Sequence, residues 1–591
     1  TEDGHNWYFP MRHEVGEGNL EVENCIAFAR DQLCNEKQAK IGANLIYDLG
    51  WFHHEGVFIK GECIDVQFAE AMLDEHRFSY SLDSIAETYL DENKVSNELY
   101  EWLALAYGGN PDGKQRANMY RSPPCLAGPY AEGDTDLPMR IWQKQKLLLE
   151  EQNLSTLFKM ECSLIPMLLA MRIKGVRVDI EGAQRLDEKF IKHEYELKKK
   201  LKYLIGFDVN VNAATDLAKA FDKLSVPYFK TAKGNPSFGA KFLQALNHPL
   251  ADLVLAKKQV MKAKGTFVDG YILDKQVNGS LHCQFHSLRK DEGGTISGRF
   301  SSSNPNLQNI PARDEEMKKM IRGLFLPEEG ELWYAPDYSQ IEYRLMVHAA
   351  SGPGAEAARQ RYRDDPKTDY HDMTKAMVDE LMGLDMDRKP IKNINFGKIF
   401  GMGKETLKAQ LIGMTDREAE IFFEQYEEAV PFASTTAKKA SNRAKKMGFI
   451  KTVLGRRARF PFIEPVDWDL SKKLGYKYKG HVLQKGDEAF WDTYLHDDCL
   501  KMRTRMALTH KALNAYTQGS GADIIKKAMA DIWEQGLPVP MLQVHDELCF
   551  SLPEGSKDLP VIINTMEQAV PLRIPVIVDV ECGTNWGNVK K

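Results

Sequence analysis

Apolar positions along the chain change their period several times, and each change marks an element. From Leu154 to about Lys202 the residues Leu157, Met160, Leu164, Leu168 and Met171 recur at three- and four-residue steps, which predicts a helix with a buried face. Gly175-Val176-Arg177-Val178-Asp179 breaks that run, and Asp179 is placed to cap a second helix ending in Lys198, Lys199, Lys200 and Lys202. Such a pair reads as an arm whose basic tip grips a duplex, or as a helical hairpin without a ligand. Two strand-like stretches, Met541 to Val544 and Leu548 to Leu552, flank the tight turn His545-Asp546-Glu547. Another short strand pattern leads into Asp337-Tyr338-Ser339-Gln340-Ile341-Glu342. The first 150 residues mix strand-like and helical pieces, as a compact α/β unit would. Residues 295–312, TISGRFSSSNPNLQNIPA, have no helical period and the Ser, Asn and Pro content of a surface loop.

Candidate chemistry gathers at the polar positions of these elements. The two adjacent carboxylates at the 545–547 turn are a weak signal alone, but a second acidic segment precedes them by roughly two hundred residues. Carboxylates from two distant strands can hold two divalent metals. In DRKPIKNINFGKIFGMG, residues 387–403, Arg388, Lys392, Phe396 and Phe400 fall four apart and share one helix face. Two cations and then two aromatics on one face offer charge to a triphosphate and a flat surface to a base, whereas an aromatic pair alone is more often core. Pro390 is tolerated if Arg388 lies near the helix start. In the polar stretch, Arg299, Gln308 and Asn309 are donor types that contact base edges and sugars in a minor groove.

Composition limits the classes open to the chain. Its 591 residues exceed what one core supports, so about three or four sub-domains are expected. Hydrophobic content of 43% and charged content of 27%, with no apolar run long enough to span a bilayer and no signal peptide, predict a soluble intracellular protein without a membrane partner. Nine cysteines are scattered singly with no CxxC pair, which argues against a zinc site and a disulfide framework. The net charge of −6 is segregated: acids dominate between Asp65 and Glu101. Lys438, Lys439, Arg443, Lys445, Lys446, Lys451, Arg456, Arg457 and Arg459 meet no acid between them. That basic run is either a solvated helix face or a track for a phosphate backbone.

Taken in order, ECSLIPMLLAMRIKGVRVD, SGRFSSSNPNLQNIPAR, DYSQIEYR, RKPIKNINFGKIFG, QGSGADIIKKAM and VHDE resemble the motifs of the family A DNA polymerases, over essentially the whole chain. The resemblance implies an α/β multidomain fold. An RNase H-like exonuclease domain would occupy residues 1–154, followed by a right-hand polymerase with its thumb at 155–290. The palm would take 291–345 and 505–591, and the fingers with a connecting insertion 346–504. It implies that Asp337 and Asp546 hold two Mg²⁺ ions, with Mn²⁺ a possible substitute, and that Glu547 supports them. Arg388, Lys392 and His371 would contact the triphosphate, with Lys392 the proton donor to pyrophosphate. Gln340 and Phe396 would flank the incoming nucleotide, Phe there implying discrimination against dideoxynucleotides. Glu342 would be the steric gate against a ribose 2′-hydroxyl, so deoxyribonucleotides are preferred. Arg299, Asn514, Gln518 and His545 would monitor the primer terminus and minor groove.

Three departures stand out. Phe400 replaces the family's usual Tyr, so Glu342 is expected to be held less firmly. His510 replaces a frequent Arg near the primer. Extra residues between about Glu464 and Lys501, including Trp468, Tyr476, Tyr478 and Trp491, form either a surface insertion or a partner contact. In the amino-terminal region, Asn44 and Asp48 match the second proofreading motif, and Tyr130 with Asp134 the third. The first motif, Asp-x-Glu on an opening strand, is not present, and Asn6-Trp7-Tyr8-Phe9-Pro10 looks like the strand that follows it, so either the chain begins late or the nuclease is inert; truncation is the favoured reading. No segment resembles a 5′ nuclease, which points to a phage or organellar replicase, in an infected cell's cytoplasm or an organelle matrix. Expected partners are primer-template DNA and dNTPs, acting on a monomer, with any replisome partner left open. A single-subunit RNA polymerase and a catalytically silent DNA-binding protein are the competing readings.

Overall fold

The computed structural model describes residues 4–93, 97–231, 233–312, 314–383, 385, 387–402, 415–465, 483–484 and 504–590. Trp468, Tyr476, Tyr478 and Trp491 lie outside them. At the centre is a four-stranded antiparallel sheet, ordered Leu542–Val544, Glu547–Leu552, Leu332–Tyr338 and Val578–Gly583. Its apolar positions pack on the long helix Ala512–Glu534, where Ile525, Ala528, Met529 and Ile532 are buried in the same core. Trp333 on the sheet stacks on Trp586 at 5.6 Å between ring centres.

The two long helices forecast after Leu154 are present as Ser155–Lys174 and Ile180–Ile205. Asp179 caps the second through the N–H of Gly182 at 2.8 Å. The first is not part of an arm. Leu164, Met167, Leu168 and Met171 face the sheet's core, while Leu157, Phe158, Cys162 and Ile165 face that of the amino-terminal domain. A helix apolar on both sides is a shared wall. The second helix enters the sheet's core through Ala183, Leu186, Phe190 and Leu197 and a further one through Leu201 and Ile205, and near its end Lys198 and Lys202 pair with Asp208 while Lys199 lies over Tyr195. Residues 6–10, expected as a strand, are not one. Tyr8 lies instead against Gly128, in the helix Pro124–Glu151, where an added Cβ would come within 3.3 Å of its ring.

A second core holds the helices Ile341–Ala349, Tyr370–Met382, Arg388–Ile399, Asp416–Ala429 and Pro431–Met447. The basic run divides physically. Lys438, Lys439, Arg443, Lys445 and Lys446 are exposed, but the arginines after them turn inward. Arg459 pairs with Glu75 and donates to Met72 O (3.2 Å) and Gln152 Oε1 (2.7 Å), and Arg457 donates to Gln152 O (3.1 Å). These contacts join the amino-terminal domain to the polymerase body, so Arg457 and Arg459 do not serve a phosphate track.

Arg456 goes further in, to a buried cluster of four charges. Its guanidinium pairs with Glu161 and, at 2.8 Å, with Asp523, while Lys526 Nζ lies 2.8 Å from Glu161. Ser287 donates to Glu161 and its carbonyl accepts from Lys526 at 2.6 Å; Thr452 donates to Asp523. Burial alone would raise the Glu161 carboxyl, but Lys526 and Arg456 hold it below its ordinary range. Two anions and two cations cancel, and removing one charge leaves another buried and unpaired. Glu161→Gln is expected to destabilise the chain by about 3–5 kcal/mol, read as a fall in the denaturation midpoint; an unchanged midpoint would refute this role.

Candidate active site

Antiparallel register brings the two acidic segments together. Asp337 stands opposite Glu547 on one neighbouring strand and Asp579 on the other. His545 and Asp546 form a two-residue turn, with His545 at φ 58°, and Asp546 O accepts from Tyr338 N at 3.3 Å. The turn is fixed from outside: Gln308 donates to Gln543 Oε1 at 2.8 Å, and Gln543 donates to His545 O at 2.5 Å. Gln308 thus spends its amide inside the protein, whereas Asn309 is exposed.

Asp337 opens onto the cleft. Its protein surroundings first, and then the charges of Asp546, Glu547, Asp579 and Glu581, push its pKa up to about 8. Burial raises Asp546 as well, against the pull of Arg299. Glu547 is turned to another task, its Oε1 accepting from Trp586 Nε1 at 3.2 Å and Cys549 Sγ at 2.9 Å. Among the described residues no three His, Cys, Asp or Glu side chains converge as a metal cage. Crowded carboxylates that resist ionisation are a donor set suited to divalent cations completed by other oxygens.

Beyond Asp337 the chain turns through Gln340, at φ 51°, into the helix Ile341–Ala349. Arg344, which sequence reasoning passed over, clamps this turn with bonds to Ser339 O (2.7 Å), Pro575 O and Pro366 O (both 2.8 Å). Glu342 accepts from Arg299, a contact not foreseen from the sequence.

Facing it is the helix Arg388–Ile399, capped by Asp387, with Pro390 in its first turn and Phe400 at its end. Phe396 and Phe400 stack at 5.9 Å, and Phe396 meets Tyr343 edge to face at 5.8 Å. Lys392 is exposed with no ion pair among the described residues. Arg388 is tied to Asp369 (2.9 Å) and Asp372 (2.5 Å). Asp369 also caps the helix Tyr370–Met382 through His371 N (2.7 Å) and accepts from Gln340 (2.5 Å). Burial opposes its charge, yet these bonds and Arg388 keep the carboxyl below its ordinary range. His371 is buried, and burial with Arg388 and Lys392 pushes its pKa down to about 4. Its Nδ1 accepts from Asn395 Nδ2 at 3.0 Å, while Asn395 Oδ1 accepts from Tyr426 at 2.6 Å. That bond assigns the ring proton to Nε2, so His371 presents a neutral donor. Asp369 was readable as a cap before a helix, and Asn395 as a polar residue on the apolar face of Ile391, Ile394 and Ile399.

On the helix Ala512–Glu534, Asn514 and Gln518 lie one turn apart, and Asn514 Oδ1 is buried with no hydrogen-bond partner among the described residues. His510 lies just before it, its carbonyl against Gly401. In the amino-terminal domain Asn44, at φ 59°, starts the helix Leu45–His54 that carries Asp48. Its turn is tied by Asp65, another residue the sequence reading left unassigned, which accepts from Asn44 N (3.2 Å) and Leu45 N (2.9 Å). Tyr130 and Asp134 sit one turn apart on Pro124–Glu151, and burial and then Asp134 raise the phenol's pKa.

Two pH effects follow. Asp337's folded pKa lies above its unfolded value, so its ionisation costs stability as pH rises from about 4 towards about 8. Asp337→Asn should therefore raise the metal-free melting temperature much more at pH 9 than at pH 4.5, and wild-type Mn²⁺ affinity by calorimetry should weaken below pH 8 with proton release. A pH-independent affinity would contradict both. The His371 ring should titrate near 4 by NMR; a midpoint at 6.5 would remove its assignment as a neutral donor.

The family described as "DNA polymerase family A" matches residues 180–588, and the family described as "3'-5' exonuclease" matches residues 3–150. A DNA-directed DNA polymerase of Pseudomonas phage M6 is 31% identical, over 99% of this chain and 89% of its own. DNA polymerase I of Pseudomonas aeruginosa is 29% identical, over 99% of this chain and 61% of its own. The solved POL domain of Pol1 from M. smegmatis, in complex with DNA primer-template and dNTP, superposes with a TM-score of 0.73 at 25% identity, over 97% of this chain and 91% of that one. The chain belongs to the family A DNA polymerases, with a 3′–5′ exonuclease domain ahead of the polymerase fold.

Proposed function

We propose that the cleft floored by Asp337 and Asp546 adds deoxynucleotides to a primer 3′ end, as directed by a template strand. The observation that carries this reading is one juxtaposition: Asp337 lies beside the Asp546 turn, joined to it through Tyr338 N, and the chain after Asp337 reaches through Gln340 to Asp369. Asp369 pairs with Arg388 on the helix that also carries Lys392 and Phe396, with neutral His371 stacked on Phe396. Asp337 and Asp546 would hold two Mg²⁺ ions, with Mn²⁺ a substitute; when bound, such ions supply charge neutralisation and an acidified primer hydroxyl.

The chain's own groups do the rest. Arg388 and Lys392 bind the triphosphate, Arg388 leaving Asp369 and Asp372 to do so, and Lys392 delivers a proton to the pyrophosphate. His371 donates from Nε2 without adding charge. Gln340 and Phe396 orient the nucleotide, and Phe400 backs Phe396 by stacking. Glu342 fills the space of a ribose 2′-hydroxyl. Arg299, Asn514, Gln518 and His545 bind the primer end and minor groove, and the orphaned Asn514 oxygen supports this because it lacks a partner among the described residues. Gln308 positions the 545–546 turn, and Glu547 braces its strand through Cys549 and Trp586. In the exonuclease domain, Asn44, Asp48, Tyr130 and Asp134 would serve the removal of nucleotides from a frayed primer, with Asp134 the metal-binding carboxylate one turn from Tyr130. The phage relatives support action in an infected cell's cytoplasm, and the chain is read as acting as a monomer.

The test is extension of a labelled primer with Mg²⁺ and dNTPs or rNTPs, beside Asp546→Ala and a lane without nucleotides. Extension with dNTPs only, lost by more than about 10³-fold in the variant, is expected. Efficient extension with rNTPs would favour the RNA polymerase reading, and no extension a DNA-binding role. Shortening without nucleotides would show an active nuclease, and its absence an inert one.

A further inference from the structure

The Arg299–Glu342 ion pair is not explained by either residue's role alone. Arg299 lies on the turn after Gly298, and Glu342 in the first turn of Ile341–Ala349; their side chains are 32% and 18% exposed. Among the described residues Arg299 is the hydrogen-bond donor to that carboxylate. A glutamate has three rotatable side-chain bonds, and an unanchored one at a cleft wall samples several rotamers. The ring at position 400 carries no hydroxyl to hold it.

Arg299 itself stands on a firm base. Thr295 Oγ1 donates to its carbonyl at 2.8 Å, Phe300 beside it is buried under Lys526 at 5.2 Å, and a Cβ at Gly298 (φ 81°) would come within 2.8 Å of Arg456 Nε. The buried charge cluster therefore supports the turn from which the guanidinium reaches Glu342. We propose that Arg299 is the positioning residue for Glu342, so that selection between deoxy- and ribonucleotides runs through the 295–312 turn as well as the gate carboxylate. This rests on the reading of Glu342 as the sugar gate.

The experiment is single-nucleotide insertion with Mg²⁺, measuring kcat/KM for a dNTP over that for the matching rNTP. The proteins are wild type, Arg299→Lys, Arg299→Ala, Glu342→Ala and the double Ala variant. A weakened grip on the primer lowers both rates and cancels in the ratio. Arg299→Ala should lower the ratio about tenfold, Arg299→Lys should retain most of it, and the double variant should discriminate no worse than Glu342→Ala. An unchanged ratio in Arg299→Ala, or a double variant showing the product of the single losses, would overturn the inference while leaving the gate intact. A Glu342→Ala enzyme that discriminates as wild type would instead overturn the gate reading itself.

Discussion

Four charges sealed from water, Glu161, Arg456, Asp523 and Lys526, set the positions of nearly everything described above. A buried pair of this kind gains little over an apolar packing of equal volume, because each ion loses its hydration. What it imposes is register. Glu161 can meet both cations only if the wall helix, the loop at Arg456 and the helix Ala512–Glu534 arrive in one arrangement. The turn carrying Arg299 then rests on Arg456 and Lys526, and the sheet with Asp337 packs on the same helix.

Across the cleft the electrostatic pattern is one of internal pairing. Arg388 is occupied by Asp369 and Asp372, and Arg299 by Glu342, while Asp337 is crowded by like charges. Arg388, which would receive phosphates, is already oriented by protein carboxylates, so binding there exchanges one set of charge-assisted bonds for another. Lys392 differs, standing exposed on the same helix face.

Much of this was legible before any coordinates. The turn at His545-Asp546, the capped helix after Asp179 and the four-residue spacing from Arg388 to Phe400 are local, and local rules fix them. What escaped depends on partners remote in sequence. Nothing in a basic run separates an arginine that will be solvated from one that will meet Glu161, 295 residues away. The wall helix betrayed one stripe, from Leu157 to Met171, but not that Leu157 with Phe158, Cys162 and Ile165 enters a second core, because a stripe is conspicuous and a full circumference is not. Gln308 and Glu547 have the right chemistry for contact with substrate but turn inward, and a sequence does not give the direction of a side chain. The Arg299 contact to Glu342 escaped similarly, since it arrives from a segment read as a loop.

The seam between the two enzymatic units has a bearing on how this gene can change. Glu75, Gln152 and the carbonyl of Met72 satisfy arginines of the polymerase body, and half of one helix lies in each core. Selection can therefore erase the nuclease chemistry one side chain at a time at little cost to the fold. It cannot delete the domain, because the loss would strand guanidinium groups and bare an apolar helix face. In such a lineage a proofreading domain would outlast proofreading, kept as scaffolding after its reaction had gone.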